Sequence, residues 1–96
     1  MIKTIILEDE PEAMATLKGY IEKFAQESGQ AVSVECYSDA VKLLESYSPE
    51  KADILFFDIQ MPTIDGMRAA KKIRERDENV IIIFVTNLAQ YAVEGY

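Results

Sequence analysis

Three apolar runs in this chain end on residues able to do chemistry. Glu8-Asp9-Glu10 follows the run Ile2–Leu7, Asp58 follows Ile54-Leu55-Phe56-Phe57, and Thr86 follows the run 80–85. Adjacent carboxylates repel one another unless water or a cation lies on them. In an open parallel α/β sheet, ligands bind just beyond the carboxyl ends of the strands. Three marked strand ends would then share one edge, with Asp9 facing Asp58. A hard divalent cation such as Mg²⁺ takes few carboxylates, some waters and a backbone carbonyl, and the carbonyl of Gln60 could supply that last ligand. With the charge neutralised, an oxygen of Asp58 could attack a phosphoryl group, a transfer that depends mainly on positioning. The Thr86 hydroxyl could donate to a phosphoryl oxygen. The plainer alternative is that a strand-end Asp serves only as a turn or helix-cap residue.

The elements that must position these groups alternate along the chain. Ile2–Leu7 is apolar and β-branched and predicts a strand. Pro11 opens a helix, predicted over 12–27, with Met14, Leu17, Ile21 and Phe24 as its buried stripe and Gly29 as its left-handed cap. Residues 31–37 alternate and predict a half-exposed strand at a sheet edge, with Cys36 as a small core residue. Ser38 is the expected cap of a second helix, with Val41, Leu43, Leu44 and Tyr47 as its apolar positions and Pro49 as its stop. A strand over 53–57, a helix over 67–76, a strand over 80–85 and a helical tail over 88–96 complete the pattern. The outer face of the third helix is basic (Lys71, Lys72, Arg74, Arg76) and reads first as a solvated surface. The order βαβαβαβα predicts an α/β fold, a parallel sheet with helices on both faces and right-handed crossovers.

Composition narrows the function. The chain has 96 residues, 49% of them apolar, which suits a single domain over 1–96. Its formal charge of −7 argues against nucleic-acid contact by this chain itself and favours a cation or a basic partner. The lone Cys36 allows no internal disulfide. No signal-like start and no apolar run near the ~20 residues of a membrane helix are present, so a cytoplasmic setting without membrane contact is the expectation.

The segments Leu7-Glu8-Asp9-Glu10-Pro11, Phe57-Asp58-Ile59-Gln60-Met61-Pro62, Asp65-Gly66 and Val85-Thr86 resemble the response-regulator receiver domains of two-component signalling. The spacing of these motifs is similar over the whole chain. Asp58 to Pro62 and the tail from Thr86 to Ala92 resemble receivers attached to LytTR-type DNA-binding domains. The resemblance implies a flavodoxin-like fold of strand order 2-1-3-4-5. It implies that Asp58 is the phosphoacceptor, charged by a histidine kinase. It further implies that Asp9, helped by Glu8, holds Mg²⁺ and that Thr86 is the switch hydroxyl. DNA would be reached only through an output domain outside this chain.

Departures from the family pattern carry their own expectations. Glu8 stands where Asp is usual, and Asn87 where a small residue follows the Thr; Asn87 and Gln60 are expected to tune water access to the phosphoaspartate. The family's fifth strand, with its Lys and aromatic switch residue, and its fifth helix have no counterpart before Tyr96. An incomplete receiver is therefore expected, with weak or absent stable phosphorylation, dimerising or exchanging elements through an exposed fourth strand. Two other readings stand beside this one. A phosphate-independent pseudo-receiver would keep the fold and act as an interaction module. A haloacid-dehalogenase-type phosphatase would use the same nucleophile, but it needs a second Asp where Gln60 stands.

Overall fold

The computed structural model describes residues 1–58 and 66–85; of Asp58, Gly66 and Met67 it describes the backbone only. The elements are β1 (Ile2–Leu7), α1 (Pro11–Ser28), β2 (Val32–Tyr37), α2 (Ala40–Ser46), β3 (Ile54–Asp58), α3 (Gly66–Arg76) and β4 (Ile81–Val85). The described strands form one parallel sheet of order β2-β1-β3-β4. That is the doubly wound arrangement expected from the alternating pattern, with β1 and β3 inside. The helix expected over 88–96 and the loop 59–65 lie outside the described residues.

Successive strand residues face opposite sides. Ile5, Leu7, Leu55 and Phe57 point to one face and pack with Ala40 and Leu43 of α2 and Ala69, Ala70 and Ile73 of α3. Each of these is nearly or wholly removed from water, worth roughly 1.5–3 kcal/mol for a large side chain. Ile6 points to the other face, where α1 lies against β1 and β2 and buries Ile21. The unbroken apolar run of β1 thus follows from cover on both sides.

Helix ends follow local chemistry, with one correction. Pro11 occupies the first turn of α1, and Gly29 ends it at φ 73°, a left-handed conformation open to glycine at little cost. The cap of α2 is Asp39, not Ser38: its carboxylate accepts from the Val41 N–H at 2.8 Å. Asp39 wins because the residue directly before the first helical turn is the one whose side chain reaches the free N–H groups.

Burial corrects three further expectations. Phe24 is 56% exposed although it continues the stripe of Met14, Leu17 and Ile21. Among the described helices α1 alone covers its face of the sheet, so the flank of its last turns meets solvent. Cys36 is exposed, not a core residue. It sits near the end of the outer strand β2, which has a neighbouring strand on one side only. Val41 is exposed, and the buried positions of α2 are Ala40 and Leu43.

A buried polar pair ties the amino-terminal edge of the sheet. The Tyr47 hydroxyl donates to Asp77 Oδ2 at 2.7 Å, and the Asn79 N–H donates to Oδ1 at 3.1 Å. The Tyr47 hydrogen bond is the chief cause holding the Asp77 carboxyl below its usual range, against burial that opposes it. Burial first, then the bond to Asp77, pushes the Tyr47 phenol up. A carboxyl whose folded pKa is depressed stabilises fully above its unfolded value, and that contribution is lost as pH falls through the folded one. Tyr47→Phe is expected to lower stability by about 0.5–1.5 kcal/mol at neutral pH. The gap to the parent should narrow as pH falls below about 4, as measured by urea unfolding at several pH values. Asp39→Ala is expected to cost about 0.5–2 kcal/mol in the same assay.

Candidate functional site

Backbone pairing brings the chemical strand ends to one edge. Leu7 is level with Phe57, so Glu8 and Asp58 each stand one residue further along neighbouring strands. Asp58 is itself the last residue of β3 and is level with Val85 of β4. Adjacent strands lie about 4.8 Å apart. The chain positions directly after Leu7, Phe57 and Phe84 therefore share one margin of the sheet.

That registration is set at the opposite margin by Asp53. The Lys3 N–H donates to Asp53 Oδ2 at 2.8 Å, and the Asp53 N–H returns a bond to the Lys3 carbonyl at 2.8 Å. The Asp53 carbonyl accepts from the Ile81 N–H at 3.0 Å. One residue thus fixes the starts of β1, β3 and β4 against each other. A one-residue slip would turn every side chain to the wrong face.

The acidic end of β1 is built from several environments. Glu8 is buried, 8% exposed, and its Oε1 accepts from the Glu10 N–H at 3.2 Å. Its own N–H donates to the Tyr37 carbonyl at 3.0 Å, which ties this end to β2. Asp9 is half-buried and Glu10 exposed. Glu10 occupies the cap position of α1 without a side-chain cap bond, with Glu12 in the first turn. The positive end of the helix dipole favours these carboxylates by about 0.3–1 kcal/mol each.

The side chains of Glu8 and Asp9 carry the hard oxygen atoms that Mg²⁺ takes, one or two carboxylates with waters. Among the described residues no three acidic side chains converge as a metal cluster. The predicted ligand Gln60 and the predicted switch residue Thr86 lie outside the described residues, as does Asn87, and the Asp58 carboxylate is not described. The structure therefore brings together the backbone of Asp58 and the Glu8-Asp9 terminus. The part of Asp53 in aligning them was not foreseen. Its place at the start of β3 was the available signal, because a carboxylate beside a neighbouring strand's N–H can pair with it.

A family model, the response regulator receiver domain, matches residues 4–96. The transcriptional regulatory protein BtsR of Escherichia coli K12 is 31% identical over 96 residues, all of this chain and 38% of that protein. Among solved structures, the non-phosphorylated HemR receiver domain of Leptospira biflexa aligns with a TM-score of 0.76 at 22% identity, covering 99% of this chain and 73% of that one. The Thermotoga maritima regulator TrrA, in complex with Mg²⁺ and a beryllium fluoride, aligns at 0.74 and 26% identity, covering 99% and 77%. TrrA in complex with the histidine kinase ThkA also aligns, at 0.68 and 27% identity over 90% of this chain and 69% of that one.

The strand order and the acidic margin belong to a class of signalling domain, a parallel sheet presenting carboxylates at its carboxyl edge. This chain belongs to the response regulator receiver domain family of two-component systems. It spans about two fifths of the length of the curated relatives it matches. Among the described residues no helix is long and apolar enough to cross a membrane.

Proposed function

We propose that Asp58 accepts a phosphoryl group from a histidine kinase, in the presence of Mg²⁺, and that the modified domain controls an output domain, by the subtype resemblance one of LytTR type that binds DNA. The observation that carries this reading is the pairing of β1 with β3, which sets Asp58 beside the buried carboxylate end of β1. The TrrA complexes with Mg²⁺ and with a histidine kinase support it by similarity.

The chemistry is an in-line displacement. An oxygen of Asp58 forms a bond to phosphorus while the bond from phosphorus to the kinase imidazole nitrogen breaks and leaves its electron pair on nitrogen. Glu8, Asp9 and Asp58, with the Gln60 carbonyl, would hold Mg²⁺, which supplies charge neutralisation when bound. The residues themselves hold the acceptor still. β3 is an internal strand whose Phe57 is fully buried, so the backbone carrying Asp58 has little freedom. Thr86, directly after Val85, is proposed as the hydroxyl that donates to the acquired phosphoryl group. Incubation with acetyl phosphate and Mg²⁺ is expected to give a phosphoryl adduct mapped to Asp58 by mass spectrometry and absent from Asp58→Ala. No adduct on the parent, or one that persists in the variant, would count against the assignment.

We also propose that β4 mediates contact with a second copy. Ile81 and Ile83 are 57% and 41% exposed on the face opposite α3, and β4 is the outer strand of the described sheet. An open apolar edge invites pairing. Light scattering of the chain is expected to show mass rising with concentration, and Ile83→Lys is expected to suppress the rise. A concentration-independent monomer would refute this.

A further inference from the structure

Tyr37 is the last residue of β2, an outer strand with one neighbour in the described sheet. Its two polar ends serve different parts of the molecule. The backbone carbonyl accepts from the Glu8 N–H at 3.0 Å, so the end of β2 borders the acidic margin directly. The phenol hydroxyl donates to Glu35 Oε1 at 2.7 Å and accepts from Lys51 Nζ at 2.9 Å. The same ammonium donates to the Ser46 carbonyl at 3.2 Å and to Ser46 Oγ at 3.1 Å, which occupies all three of its donors. Glu35, 3.9 Å from Nζ, supplies the balancing charge.

Lys51 is itself fixed by the turn that leads into β3. Its N–H donates to the Ser48 carbonyl at 3.1 Å. Glu50, just before it, has φ 71°, a left-handed conformation that a residue with a Cβ adopts only at a cost. Both polar groups of Glu50 are held: its N–H donates to Asp77 Oδ2 at 3.4 Å, and its carbonyl accepts from Lys3 Nζ.

An exposed ion pair alone is worth little. This cluster is more than a pair, because three elements meet in it: β2 through Glu35 and Tyr37, the end of α2 through Ser46, and the approach to β3 through Lys51. An outer strand has no second neighbour to steady its end. Looseness at Tyr37 would reach Glu8 through a single hydrogen bond.

We propose that Tyr37 and Lys51 are positioning residues for the acidic margin, holding the end of β2 so that its carbonyl keeps Glu8 in place for a divalent cation. Neither residue touches the cation; both act through the Tyr37 carbonyl. The inference rests on the reading of Glu8 and Asp9 as Mg²⁺ ligands.

The experiment is an NMR titration of the folded chain with Mg²⁺, followed at the Glu8 and Asp9 amides. Tyr37→Phe and Lys51→Met each remove half of the tie and should weaken Mg²⁺ binding about three- to tenfold, the worth of one net hydrogen bond. The double variant should bind no more weakly than the weaker single one, because the two residues act through one contact. Lys51→Arg, which can still donate to the same oxygens, should retain most of the affinity. Lower stability alone would leave the affinity of the folded protein where it was. Before metal is added, the Glu8 amide proton should move upfield in both single variants as its bond to the Tyr37 carbonyl lengthens. Parent-like affinity or an unmoved Glu8 amide in the folded variants, with binding lost in Asp9→Ala, would overturn the positioning role and leave the metal reading intact. No Mg²⁺ shifts in the parent, or shifts that survive Asp9→Ala, would overturn the metal reading and this proposal with it.

Discussion

The alignment of β1, β3 and β4 rests on Asp53. Its carboxylate and N–H pair with the backbone of Lys3, and its carbonyl receives the Ile81 N–H. A sheet register has no intermediate settings, because its side-chain period is two residues. Pinning one end therefore determines what stands at the other. The acids after Leu7 and the acid after Phe57 meet at one margin because a different acid, at the far end, holds the strands level.

Core packing and site geometry are consequences of that same alignment. Ile5 with Leu7, and Leu55 with Phe57, fall on one face and fill the space under α2 and α3. The strand ends beyond them have to leave the core together, and there the chain changes from apolar to charged. Glu8 is the transition residue, buried like the strand before it and charged like the loop after it. Such a carboxylate is tolerated because it accepts from the Glu10 N–H and stands at the start of a helix.

Much of this was legible in the residues. Strands without Gly or Pro, the Pro11 start and the Gly29 stop of α1, and the alternation of elements together define a parallel sheet by pattern alone. The receiver resemblance was carried by a few residues at the strand ends. What was not legible depends on which face finds a neighbour. Phe24 has the right spacing for burial and lacks a covering element among the described residues. Cys36 has the right alternation and stands on an outer strand. Ser38 and Asp39 are both good caps by type, and one residue of phase decided between them. The pairings of Tyr47 with Asp77 and of Lys3 with Asp53 span 30 and 50 residues, beyond the reach of local pattern.

The Lys3–Asp53 bond also governs the order in which the chain can acquire its shape. β1 leaves the ribosome before β2 and β3, yet one of its two partners begins at Ile54. Until then Ile5, Ile6 and Leu7 can be covered on the β2 side alone. Contacts this distant in sequence close slowly, and an unpaired apolar strand is prone to misassociation while it waits. The pairing of β1 with β2, joined through α1, is the cover for the centre of the sheet that needs the least chain.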